Sequence, residues 1–69
     1  MKEYDLIIKG TVVMTSSWIH CVQGAYTWLK EKQINPEDYV KYARLSDNYL
    51  AFAYYDSTGE LIQIVVREH

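Results

Sequence analysis

Tyr4-Asp5-Leu6-Ile7-Ile8-Lys9-Gly10-Thr11-Val12-Val13-Met14-Thr15 alternates by twos, and at Ser16-Ser17 the alternation stops. Tyr4, Leu6, Ile8, Gly10, Val12 and Met14 share one parity; Asp5, Ile7, Lys9, Thr11, Val13 and Thr15 share the other. A period of two is that of a strand with one buried face. Twelve residues is long for a strand, and Gly10 in the middle indicates a bulge or bend. A hairpin turning at Lys9-Gly10 is the alternative, but no Asn-Gly type of turn dipeptide is present. The expectation is one bent strand.

Beyond Ser16-Ser17, which offers a helix N-cap, the period lengthens. Trp18, Cys21, Val22, Ala25, Trp28 and Leu29 recur at helical spacing, with His20, Gln23, Thr27, Lys30 and Glu31 mainly on the opposite side. This predicts an amphipathic helix from about residue 17 to 33. Gly24 costs roughly 1 kcal/mol relative to alanine inside a helix, so it marks a close approach to the sheet.

Asn35-Pro36-Glu37-Asp38 is helix-start chemistry, and Pro36, Tyr39, Val40 and Ala43 keep helical spacing. Residues 39–45 also read as a strand, closed by Ser46-Asp47-Asn48. The expected compromise is a helical turn at 36–39 followed by a strand at 40–45. Residues 49–55 and 60–67 alternate as strands around Asp56-Ser57-Thr58-Gly59, a run of turn formers.

Together these elements predict an α+β fold in the order β-α-β-β-β. It is a single domain, residues 1–69, with an antiparallel sheet of about four strands and one helix across one face. The helix stripe is expected to cover Leu6, Ile8, Val12, Met14, Leu50, Phe52, Ile62, Ile64 and Val66. With 69 residues, stability is modest unless packing is efficient or a partner contributes.

Nine acids against seven bases give a net charge of −2, too near neutral for a dedicated polyanion binder or a nucleic-acid mimic. The apolar fraction of 49% is that of a folded chain rather than a disordered one. Cys21 is the only cysteine, which excludes an internal disulfide and a cysteine metal cage. The N-terminal residues do not read as a signal peptide, and no apolar run approaches the roughly 20 residues of a membrane span. A cytoplasmic setting without membrane contact is expected. Glu68-His69 reads equally as native sequence or as the start of a tag.

His20 and Cys21 are adjacent, but neighbouring helix residues point about 100° apart, and Cys21 lies on the apolar stripe as a small core residue. His69 is expected to be mobile. The acids Glu37, Asp38, Asp47, Asp56 and Glu60 sit at turns, where carboxylates cap amides. No phosphate loop or metal motif is present. The expectation is no catalytic residue, no metal and no cofactor.

One helix covers one sheet face. The other is expected to carry Ile7, Lys9, Thr11, Val13, Tyr49, Ala51, Ala53, Tyr55, Gln63, Val65 and Arg67, a set too apolar to be idle. Exposed tyrosines also serve simply as cross-strand pairs, but an apolar patch rimmed by polar groups is the usual mark of an interaction site. The candidate contact residues are Tyr49, Tyr55, Lys9, Arg67, Tyr42 and Arg44. A protein partner is expected, in the manner of an inhibitor or adaptor, with a homodimer as a version of the same idea. The alternative is single-stranded nucleic acid stacked on tyrosines, against which stand the net negative charge and the missing basic-aromatic signature. In size and lack of catalytic groups the chain is similar to small inhibitor and adaptor proteins carried by phages and mobile elements, a likeness of class that covers no motif.

Overall fold

The computed structural model describes residues 2–69. The elements are β1 (Tyr4–Ile8), β2 (Thr11–Ser16), α1 (Trp18–Glu31), α2 (Pro36–Val40), β3 (Arg44–Ser46), β4 (Tyr49–Tyr55) and β5 (Leu61–Glu68). The fold is α+β: a five-stranded sheet in the order β2-β1-β5-β4-β3, antiparallel at every pairing, with one long helix on one face. The sheet has five strands rather than about four because the first alternating stretch divides in two.

That division corrects the single bent strand. Lys9 (φ 53) and Gly10 (φ 79) both take the left-handed conformation, which closes a two-residue turn with Ile8 opposite Thr11. Glycine makes the second position cheap; lysine accepts the first without being the usual choice. A two-residue turn should swap parity, putting residues 12 and 14 with odd-numbered partners. Val12 indeed pairs with Ile7, but the register shifts before Leu6, which faces Met14. Val13 is left over as a bulge, and the bulge restores the original parity. Val12 therefore leaves the helix-covered face assigned to it, Thr11 joins that face opposite Ile8, and Met14 keeps its assigned face.

Helix α1 begins where the period changes. Ser17 is its N-cap, accepting from the His20 amide at 3.4 Å. At the other end Gln33 adopts φ 57, and the Ile34 amide donates to the Leu29 carbonyl at 3.0 Å, closing the last turn. Cys21, Ala25 and Leu29 are the helix residues fully buried against the sheet. They meet Tyr4, Leu6, Ile8, Leu50, Phe52, Tyr54, Ile62, Ile64 and Val66 in one core. Each Leu, Ile or Val buried there contributes roughly 1.5–3 kcal/mol. A Cβ placed on Gly24 would lie 2.9 Å from Leu6 Cδ2, so the glycine is where the helix presses on β1.

The 36–45 stretch resolves toward helix. Asn35 Oδ1 accepts from the Glu37 amide at 3.1 Å, Pro36 occupies the first turn, and Glu37 and Asp38 sit at the positive end of the helix. This chemistry carries α2 to Val40, where a strand was expected to start, and tight turns follow, with Tyr42 N donating to Tyr39 O at 3.1 Å. Only Arg44–Ser46 remain for β3. Helix α2 packs on β4, where Tyr39 meets the Phe52 ring edge-on at 5.2 Å.

His69 makes contacts back to the first strand and the residue before it. The His69 amide donates to Glu3 O at 2.9 Å, and its Nδ1 lies 3.0 Å from the Asp5 carboxylate. No helix among the described residues is long and apolar enough to cross a membrane.

Candidate interaction site on the open sheet face

Cross-strand register fixes what the uncovered face presents. One row runs Val12, Ile7, Val65, Ala51, Arg44 across all five strands. The next runs Thr15, Asp5, Arg67, Tyr49, Ser46. On the other side of the first row lie the pairs Gln63–Ala53 and Leu61–Tyr55. Exposure varies along the first row: Ile7 is only 9% exposed although no helix covers it, Val65 and Ala51 are half-buried, and Val12 at the sheet's edge is exposed.

On β4 the open-face sequence is Tyr49, Ala51, Ala53, Tyr55. At about 3.3 Å per residue, the tyrosines stand roughly 20 Å apart with two methyl groups as floor between them. Strand β3 is too short to flank all of β4. Its pairing ends at Ala51, so the outer edge of Phe52–Tyr55 has no strand beside it. The turn after α2 stands there instead, bringing Tyr42 edge-on to Tyr55 with ring centres 6.0 Å apart. A hollow of about 410 Å³ results, with Lys41–Arg44 as one lip, Tyr49 and Tyr55 on β4, and Gln63 and Val65 beyond the alanines. Phe52 borders it although its side chain is in the core of the other face, so it reaches the hollow through its main chain. A second hollow of about 340 Å³ adjoins through Tyr49, Gln63 and Val65 and takes in Ile7, Val12 and Arg67.

Of the six candidate contact residues, Tyr42, Arg44, Tyr49 and Tyr55 therefore meet around one hollow, and Arg67 lines its neighbour. Lys9 does not join them. It is consumed by the β1–β2 turn, its amide donating to Gln63 O at 3.1 Å and its charge helping to hold the Asp56 carboxyl low. Of the expected open-face set, Thr11 lies on the other face and Val13 sits in the bulge. Sequence reasoning missed Lys41 and Val12. Lys41 was hidden by the ambiguity of residues 36–45; Val12 was hidden by the bulge.

The remaining chemistry-bearing groups are dispersed. Cys21 is fully buried, its thiol donating to Tyr4 O at 3.4 Å, and burial pushes that thiol upward in pKa. His20 turns away, with Nδ1 3.2 Å from Ser16 Oγ. Asp56 Oδ1 accepts from the Thr58 hydroxyl at 2.6 Å and from the amides of Thr58 and Glu60, which lowers its pKa and rigidifies the β4–β5 turn. Among the described residues no three His, Cys, Asp or Glu side chains come together as a metal site.

Searches against protein-family models, curated proteins and solved structures found no match to this chain.

Proposed function

We propose that this protein is a small non-catalytic binding module, of inhibitor or adaptor type, that takes a protein partner on the open face of its sheet. The observation that carries the reading is the hollow bounded by Tyr42, Tyr49 and Tyr55 over an alanine floor. Tyrosines give large, stiff contact area at small entropic cost, and alanines leave room for a partner side chain to enter. Tyr55 is 58% exposed and Tyr49 37%, so both rings have contact area left to lose.

The test is capture by the immobilised protein, wild type against Tyr49→Ala and Tyr55→Ala. Hot-spot truncations cost about 2 kcal/mol or more, so partner retention should fall at least tenfold while the circular dichroism spectrum is unchanged. Equal retention by the variants would sink the proposal. The same tyrosines beside Lys41, Arg44 and Arg67 also support a reading as a single-stranded nucleic-acid binder. That reading predicts affinity falling steeply with salt. A homodimer through this face predicts a concentration-dependent mass that the two alanine variants abolish.

A further inference from the structure

The two edges of the sheet are unlike. At one end β3 is three residues long and carries Arg44. At the other, β2 runs for six residues, Thr11-Val12-Val13-Met14-Thr15-Ser16, and among the described residues no strand pairs with its outer side. Thr11 to Thr15 are all exposed, with Val12, Val13 and Met14 at 52%, 55% and 38%. That exposure sets β2 apart from the outer edge of β4, beside which α2 and its turn stand.

The usual protection of such an edge is nearly absent from β2. It contains no charged residue and no proline, and its one blunting device is the bulge at Val13. A run of Val, Met and Thr on an open edge is a template for another polypeptide strand, which a nucleic acid cannot supply.

The strand is compatible with its own image. Two antiparallel copies of an uncharged strand set no like charges opposite one another, whereas a charged edge would. Lys9, just outside the strand, falls at opposite ends of such a seam, and a net charge of −2 per copy adds little repulsion. The pairing also closes on itself. It uses up both copies of β2 and leaves β3 at either end, too short and too charged to carry the assembly further.

We propose that the occupant of this edge is a second copy of the chain. β2 pairs antiparallel with β2 of its twin across a twofold axis, giving one ten-stranded sheet from two five-stranded ones. An axis relating antiparallel neighbours stands normal to the sheet, so both open faces look the same way. The hollow of about 340 Å³ reaches Val12 on the edge, so it lies beside the seam and the twin's β2 joins its rim. Whatever binds the open face then meets two sites on one surface, and the pairing stands independently of what that ligand is. Six residues span only roughly 20 Å. The contact is small beside the standard interface of about 800 Å² per partner, so the dimer dissociates on dilution.

Sedimentation equilibrium of the 69-residue protein from about 10 µM to about 1 mM reads the mass directly. It should climb from one copy toward two and go no further. Val13→Lys should weaken self-association by about tenfold or more. Leu45→Lys on β3 and Tyr55→Ala on the open face should leave it unchanged, with circular dichroism confirming that each variant folds. Single cysteines placed in turn at Thr11, Val12, Val13, Met14 and Thr15 give a readout that does not depend on the lysine variant; Cys21 is buried and stays unreactive. On oxidation a covalent dimer should form at the one or two positions nearest the axis, and not from Leu45→Cys.

A mass of one copy throughout overturns the proposal, as does growth beyond two. Self-association indifferent to Val13→Lys overturns it too, and its loss in Tyr55→Ala then assigns the contact to the open face. Crosslinks that form at no edge position, or as readily from Leu45→Cys, have the same force.

Discussion

Asp5 and His69 show how much one pair of side chains changes the reading of this chain. The carboxylate accepts from Thr15 Oγ1 at 2.7 Å and faces the imidazole of His69 at 3.0 Å. The hydrogen bond to Asp5 raises the His69 pKa above its ordinary 6.5, and the His69 and Thr15 hydrogen bonds lower Asp5 below 3.8. A raised histidine stabilises the fold fully below 6.5 and loses that contribution as pH climbs through its folded value. A lowered aspartate contributes above 3.8 and loses its share as pH falls through its own folded value. The contact is therefore fully formed from about pH 4 to 6.5, and it is lost on the alkaline side as His69 gives up its proton and on the acid side as Asp5 takes one. His69 is exposed and its side of the pair screened by solvent, so the effect on global stability is small. Its signature is local: the imidazole ring protons should titrate above 6.5 in the native protein and return to about that value in Asp5→Asn. An unchanged titration in that variant would show that the contact does not persist in solution. Nothing in the sequence joins residues 5 and 69; only the β1–β5 register does.

At the level of elements, what was legible followed from unambiguous periodicity. Helix α1 begins one residue and ends two residues inside the expected 17–33, because the Ser17 cap and the stripe through Cys21, Ala25 and Leu29 agree. Strands β4 and β5 were equally plain. Where two local signals disagreed, the chain was harder to read. Residues 39–45 combine strand-favouring residues with a strong helix start, and the cap at Asn35 won. The β1–β2 hairpin was obscured differently. Its turn inverts the parity of the alternation and its bulge inverts it back, so a hairpin left the trace of a single strand. Tyr49 and Tyr55 were legible because β4 sets them by simple alternation, and Arg44 because the β3–β4 register puts it opposite Ala51, whereas Tyr42 is placed by the turn after α2. The lip was not, since Lys41 is placed by a turn between two short elements. The hairpin makes a definite demand on Gly10: with φ at +79 and open space around it, Gly10→Ala meets no atom and suffers only the backbone cost. That cost is roughly 1–2 kcal/mol, to be read from denaturant midpoints at constant m-value. A neutral result would mean that the turn is not of this type.

Across the whole molecule, the two strands most distant in sequence lie side by side in the middle of the sheet. β1 and β5 occupy the second and third places of the order β2-β1-β5-β4-β3, and each has a neighbour on both edges. The hairpins flanking this seam close over short loops, but the seam itself closes across nearly the full chain. Loop-closure entropy makes such a pairing slow relative to local ones. Ile62, Ile64 and Val66, all on β5, are among the most deeply buried side chains. A chain lacking residues 61–69 should therefore show no cooperative thermal transition by circular dichroism; a sharp one would disprove this account. During synthesis the consequence is one of timing. Until residues 61–68 have left the ribosome, the nascent chain exposes a half-covered helix stripe and a bare inner edge on β1, so the elements made first stay open to aggregation and proteolysis until the strand that closes them arrives.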